Sequence, residues 1–260
     1  MRECGAFRII VVDSLGDKNR LVKQIRRAVS RGSLTEDGYA VAEGAHLLEE
    51  ALAAKCEIGA VIVAESARVN YPDARVVSDK IFRELASTET PQGVIALVRP
   101  PVSTLGHMTR GDQALVVVLD GVQDPGNAGA IVRAAEAFGA TGAVFLKGTV
   151  NPYNPKSVRG SAGSVFRVPL IASVEAGEIL QRTEIAWYAA MPRAQRLASD
   201  ADLVGPCGMI IGSEGHGVSQ QLLGHASALR IPTSGVESLN AAVAAGILLY
   251  EARRQRANAK

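Results

Sequence analysis

The chain is short of cysteine, of metal-ligand spacings and of long apolar runs, and each shortage excludes something. Three cysteines, Cys4, Cys56 and Cys207, are scattered through 260 residues. Their number is odd and no CxxC or Cys/His spacing occurs, which argues against a zinc site and for free thiols in a reducing compartment. His46, His107, His216 and His225 stand alone, so no metal is expected. No stretch approaches the roughly 20 apolar residues that span a bilayer. The amino-terminal MRECGAFRIIVVDS carries Glu3 early and has too short an apolar stretch for a signal peptide. The expectation is a soluble cytoplasmic protein without a membrane segment. A net charge of +2 does not by itself point to nucleic acid.

Familiar nucleotide motifs are missing too. After the apolar ALVVVLD (114–120) comes Gly126-Asn127-Ala128-Gly129, which is GxxG and not GxGxxG. No acidic residue ends a second strand about 20 residues further on, as a dinucleotide fold requires; FLKGT stands there. There is no GxxxxGK[ST], no nucleophile elbow and no acidic-glycine turn of the common methyltransferases.

What is present is a sizeable core and many tight turns. Hydrophobic residues make up 47%, and glycine is 26 of 260, above the usual share of roughly 7%. Residues 18–31 (KNRLVKQIRRAVSR) read as an amphipathic helix with Leu21, Ile25, Ala28 and Val29 inward. Arg20, Lys23, Arg27 and Arg31 fall on another face, a candidate RNA-docking surface or a solvated charged face. Strands at 39–42, 59–64 and 93–98 and helices at 44–55 and 78–86 complete a small α/β unit over 1–100. Pro, Gly and polar residues then break the periodicity, which places a linker at 101–112. From 113 to 260 strand, glycine turn and helix alternate, as in an α/β domain with a mostly parallel sheet. The expected strands are 114–120, 142–146, 185–190, 207–212 and 228–232, and the expected helices are 127–138, 155–163 and 239–256.

Three segments put glycines beside polar side chains where an apolar run ends: NAGAIVR (127–133), GSEGHG (212–217) and IPTSGVESLN (231–240). Three such ends in this order suggest one ligand site. Asn127 suits either a helix N-cap or a polar contact in the site. Arg133 pairs with Glu136 three residues on, or recognises a phosphate and ribose with its planar fork. Glu214 is either an exposed hairpin residue or a carboxylate that fixes the loop geometry. Ser238 is a natural N-cap, and Asn240 would then stand in the first turn, where helix propensity disfavours it. Arg159 and Arg167 form a solvated pair or contact phosphate. His216 lies within the glycine loop without an evident role.

LDGVQDPGNAGAIVRAAEAFGA, IIGSEGHGVS and IPTSGVESLNAAVAAGILLYEA, in this order, resemble the three motifs of the SpoU branch of SPOUT RNA methyltransferases. VAEGAHLLEEAL and TETPQGVIALV resemble a small ribosomal-protein-like RNA-binding domain that such enzymes carry. The resemblance implies methyl transfer from S-adenosylmethionine to a ribose 2′-hydroxyl, with 23S ribosomal RNA as the favoured substrate. Transfer RNA and a non-catalytic, ribosome-assembly role are the alternatives. It also implies a trefoil knot in the carboxyl-terminal SPOUT domain and a homodimer formed through that domain. By motif match, Asn127, Arg133, Glu214, Ser238 and Asn240 are catalytic. The cofactor residues are Gly212, Glu214, Gly217, Ile231, Pro232, Ser238, Leu239 and Asn240. Arg159 matches a position near RNA phosphate.

Overall fold

In the computed structural model the described residues are 14–67, 69 and 71–259. Cys4 and the amino-terminal stretch through residue 13, on which the absence of a signal peptide was argued, lie outside them. The chain divides into two compact units. One runs to Pro100 and includes Tyr153–Pro155; the other holds Pro101–Pro152 and the chain from Lys156 onward.

In the first unit, α1 (Arg20–Arg31) starts at Asn19, whose side chain accepts from the Leu21 amide at 2.9 Å. It stops at Gly32, whose φ of 60° is the left-handed conformation that glycine adopts freely. The fully buried face is Val22, Ile25 and Ala28, while Leu21 and Val29 pack at its margin. The inward face differs from the one read off the apolar periodicity because it includes Gln24, whose amide donates to Asp37 at 2.8 Å. The next elements are β1 (Ala40–Glu43), α2 (Ala45–Ala53), β2 (Ile58–Ala64), β3 (Arg75–Val77), α3 (Asp79–Leu85) and β4 (Val94–Val98). The sheet order is β1-β4-β2-β3, with β4 antiparallel to both neighbours and β3 parallel to β2. Ile62, Val77, Phe82, Leu85, Ile95 and Leu97 close the core against α1. The three-residue β3 was not anticipated; it is too short to show alternation.

The second unit opens on α4 (Leu105–Met108), within the stretch read as linker. Leu105 and Met108 are buried in this unit's core, so those residues belong to a folded element. The sheet is built from β5 (Leu115–Asp120), β6 (Gly142–Leu146), β7 (Leu170–Val174), β8 (Ala186–Ala190), β9 (Cys207–Gly212) and β10 (Ser227–Leu229). Its order is β10-β8-β9-β5-β6-β7, and every adjacent pair is parallel. β5 is buried along almost its whole length, as an uninterrupted apolar run in a parallel sheet should be. The missed strand is β7, where only Leu170 and Val174 are buried and no alternation betrays it.

Around the sheet lie α5 (Pro125–Ala137), α6 (Pro155–Gly160), α7 (Ala176–Leu180), α8 (Gln220–Leu223) and α9 (Ala241–Asn258). α5 packs along α9. α6 comes so close to α5 that a Cβ at Gly129 would stand 2.4 Å from the Ser157 carbonyl oxygen. Near the end of α9 the buried Arg256 guanidinium donates to four carbonyls: Gln113 at 2.7 Å, Ala114 at 2.9 Å, Leu203 at 3.0 Å and Gly205 at 2.7 Å. It fastens the helix to the amino ends of β5 and β9. The opposite, carboxyl ends of those strands flank the point where the chain, having run β5-β6-β7 to one side, resumes on the other. Such a switch point leaves a crevice in which ligands of parallel α/β sheets bind.

Candidate active site

Two expected helix caps fall elsewhere, and the difference builds the site. α5 begins at Pro125 with Asp124 as its cap, and Asp124 Oδ1 accepts from the Asn127 amide at 2.7 Å. Proline at the first helical position costs no hydrogen bond there. Asn127 is therefore not the cap, and its side chain is available for other bonds. Its Nδ2 donates to Glu214 Oε1 at 2.7 Å. Ser238 is not a cap either. Asn240 caps α9, its Oδ1 accepting from Ala242 at 2.9 Å and Val243 at 3.3 Å. The apparent propensity violation at Asn240 disappears, because this residue precedes the helix.

Asn240 Nδ2 also donates to Asn127 Oδ1 at 2.9 Å and to Glu214 Oε1 at 3.2 Å. Residues from all three motifs thus form one closed cluster. Glu214 Oε1 takes two amide donors, which fixes the carboxylate plane while the group stays exposed.

The glycine loop that carries Glu214 is folded tightly. Gly217 donates to the Ser213 carbonyl at 2.9 Å, and the His216 amide donates to Ser213 Oγ at 3.2 Å. A Cβ at Gly212 would lie 2.1 Å from the Gly217 carbonyl carbon, so only glycine fits there. Beyond the loop, Asp120 Oδ2 accepts from the Ser219 amide at 2.7 Å and ties the end of β5 to the chain leaving the loop.

A cavity lies on each side of this loop. The first encloses about 250 Å³ at the carboxyl ends of β8, β9 and β10. Ala190, Ile211, Leu229, Leu239, Ala241 and Ala244 make much of its wall apolar. Of the cofactor residues inferred from the motifs, Gly212, Glu214, Gly217, Ile231, Ser238 and Leu239 line it, and Pro232 and Asn240 do not. Met191, Thr233 and Glu237 also line it and were not anticipated. The second cavity, about 660 Å³, is bounded by Asp120, Gln123, Asp124, Asn127 and His216. His216, read as incidental, is therefore part of a cavity wall. Ser213, Glu214 and Gly217 border both cavities.

Arg133 is exposed and lines neither cavity. Its expected partner Glu136 is instead bonded to Arg167, with Arg167 Nη2 donating to Oε2 at 3.1 Å and Nε donating to Oε1. That guanidinium holds the Glu136 carboxyl below its ordinary range. Arg167 thus commits its fork to α5. Arg159 lies exposed on α6. On α1, Arg27 bonds Glu36 at 2.8 Å and Arg20 lies 3.6 Å from Asp37. Lys23 and Arg31 are not among the ion pairs found in the described residues.

Residues 114–250 match the family model of the SpoU rRNA Methylase family, and residues 19–96 match an MRM3-like substrate binding domain. An uncharacterized tRNA/rRNA methyltransferase of Synechocystis sp. is 33% identical, with 92% of each chain covered. The 23S rRNA (guanosine(2553)-2′-O)-methyltransferase RlmP of Bacillus subtilis is 31% identical over 91% of this chain and 97% of its own. The solved structure of the SpoU methyltransferase AviRb from Streptomyces viridochromogenes, in complex with AdoMet, has a TM-score of 0.83 at 27% identity. It covers 92% of this chain and 99% of its own. Parallel sheet, glycine loop and polar cluster are those of an RNA-modifying methyltransferase domain. The chain belongs to the SpoU rRNA methylase family. It is an S-adenosylmethionine-dependent RNA ribose 2′-O-methyltransferase.

Proposed function

We propose that this enzyme methylates a ribose 2′-hydroxyl of large-subunit (23S) ribosomal RNA, with Asn127, Arg133, Glu214, Ser238 and Asn240 as its catalytic set. The observation that carries this reading is Glu214, held by two amides in the wall between two cavities. RlmP of Bacillus subtilis, a full-length relative, is named for 23S rRNA.

The first cavity suits S-adenosylmethionine. Its apolar inner wall accepts an adenine ring, Ser213, Thr233 and Ser238 offer hydroxyls, and the lack of a Cβ at Gly212 lets the loop backbone at Gly217 and Val218 pack directly against it. When bound, the cofactor supplies a sulfonium methyl group as electrophile. The second cavity takes the target nucleotide. Asn127 and Asn240 hold Glu214 still, and Glu214 and Ser238 orient the two ligands for in-line attack. A guanidinium is a poor base, being always protonated. Arg133 therefore positions the hydroxyl and the adjacent phosphate, and the phosphate assists proton loss.

Arg133 stands outside both cavities, on the helix that packs along α9. α9 exposes Val243, Ile247 and Tyr250 at helical spacing, 51%, 38% and 53% accessible. A second copy that covers this apolar stripe gives a homodimer through the carboxyl-terminal domain and delivers Arg133 across the interface. Three loops converge on one cavity, in keeping with a trefoil knot in this domain. The amino-terminal unit docks RNA, with Arg20, Lys23, Arg27 and Arg31 facing phosphates, and Arg159 and Arg167 are further RNA contacts on the carboxyl-terminal unit. No helix among the described residues is long and apolar enough to cross a membrane, and the compartment that goes with the proposed ribosomal RNA substrate is the cytoplasm.

Labelled S-adenosylmethionine is offered to unmodified total RNA, separated by size, with Arg133→Ala alongside. Label at one alkali-resistant site in large ribosomal RNA, lost in the variant, is the expected result. Label confined to transfer RNA would replace the substrate, and near-normal turnover by Arg133→Ala would remove that residue from the mechanism.

A further inference from the structure

The cofactor cavity has an uneven charge pattern. Among the described residues its only charged wall residues are Glu214 and Glu237, both acidic, and no described cation lines it. S-adenosylmethionine carries two positive groups, a sulfonium and an α-ammonium, and one negative group, a carboxylate. The positive groups can be matched by the two acids; the carboxylate finds no cationic partner within the wall.

A cation stands just outside it. Arg193 follows Met191 and Pro192, which line the cavity after β8, and its Nη2 lies 4.0 Å from Glu237 Oε2. The two belong to different loops, and their side chains are 89% and 93% accessible. At such exposure an ion pair contributes little stability. The pair is therefore free to exchange its mutual contact for contacts with a ligand. The cavity volume, about 250 Å³, falls below the roughly 300–1,000 Å³ of typical small-molecule sites. A ligand as long as the cofactor fills it and leaves one end at the mouth. The zwitterionic amino-acid end is the part that cannot enter an apolar wall unpaired.

We infer that Arg193 and Glu237 form a rim clamp for the amino-acid end of the cofactor, Arg193 receiving its carboxylate and Glu237 its ammonium. Arg193 contacts the carboxylate by charge-assisted, fork-shaped hydrogen bonding. Glu237 accepts from the ammonium and thereby leaves Glu214 to the reacting end. Both are positioning residues that discriminate cofactor from nucleosides of the same adenine and thioether.

The test is a calorimetric comparison of two probes on the full chain. S-adenosylhomocysteine keeps the amino-acid end, and 5′-methylthioadenosine lacks it. Arg193→Gln and Glu237→Gln are each expected to lower affinity for S-adenosylhomocysteine roughly tenfold, about the effect of one charged contact, and to leave 5′-methylthioadenosine affinity unchanged. The second probe reports that the cavity is intact, so misfolding is not mistaken for loss of the clamp. An affinity ratio of the two probes equal to wild type in both variants overturns the inference and leaves the pair as a solvent-exposed contact. Wild-type protein that binds neither probe overturns the cofactor site itself and the clamp with it.

Discussion

Asn240 Nδ2 donates to Asn127 Oδ1 at 2.9 Å across 113 residues of chain. The same Asn240 presents its Oδ1 to the first turn of α9. The two asparagines bond the same carboxylate oxygen, yet only Asn240 also caps a helix, and this asymmetry makes their substitutions distinguishable. Asn127→Ala is expected to lower methyl transfer roughly 100-fold through a misplaced Glu214, with thermal stability nearly unchanged because Asp124 caps α5. Asn240→Ala should lose the same activity and also about 1 kcal/mol of stability. Melting curves recorded beside single-turnover rates check both, and equal melting temperatures for the two variants would contradict the capping role.

Gly212→Ala pushes a methyl group against the Gly217–Val218 backbone, where the nearest atoms stand 2.1–2.4 Å away. The loop has to shift, and both cavities shift with it. Cofactor binding is expected to fall at least tenfold, with stability lowered by about 1–3 kcal/mol as for other overpacked positions. Titration with S-adenosylhomocysteine and chemical denaturation would register it; wild-type affinity in the variant would mean that the loop yields freely.

Arg256→Met leaves four carbonyls at the amino ends of β5 and β9 without their donor. Of these, Ala114 keeps the Cys207 amide at 3.0 Å and the Gln113 and Gly205 contacts are only part-buried, while a fully buried orphan costs about 1–3 kcal/mol when no water replaces the partner. A loss of roughly 3 kcal/mol or more in urea denaturation is expected, together with earlier fraying of α9 in hydrogen exchange. A loss under about 1 kcal/mol would show that water replaces the guanidinium.

Within α1, Arg20 and Arg27 already face Asp37 and Glu36. Lys23→Glu and Arg31→Glu are therefore expected to weaken RNA binding more than Arg20→Glu and Arg27→Glu. Each should lower the slope of log affinity against log salt by nearly one phosphate contact. Filter binding at several salt concentrations decides this. Unchanged slopes in all four variants would make α1 a solvated charged face.

How much of this was legible in the sequence depends on the range of the interactions. α1, β5 and α9 are long enough for periodicity or apolar continuity to declare them, and the parallel character of the second sheet follows from alternation. Glycine spacing brought Asn127, Glu214 and Asn240 together because each ends an apolar run. The caps were misplaced because Asp124 and Asn127, or Ser238 and Asn240, are equally good capping residues by type, and only the path of the backbone chooses between them. Glu136 was given to Arg133 on the strength of helical spacing. Arg167, distant in sequence, is the residue that packs beside it. Nothing local marks Arg193 and Glu237 as neighbours, because two loops at different strand ends bring them together. β3 and β7 are defined by partners in the sheet more than by their own composition.

Ser213, Glu214 and Gly217 face both cavities, so in the proposed arrangement one thin backbone partition serves two ligands. Whatever fixes the partition from one side changes the fit on the other, and thermodynamic reciprocity makes the influence equal in both directions. Cofactor and RNA are then not independent guests. A chain already holding its methyl donor presents RNA with a stiffened wall, and an RNA already seated narrows the conformations open to an arriving donor. The order in which they arrive alters the rates of assembly, while the equilibrium stability of the ternary complex is the same by either route.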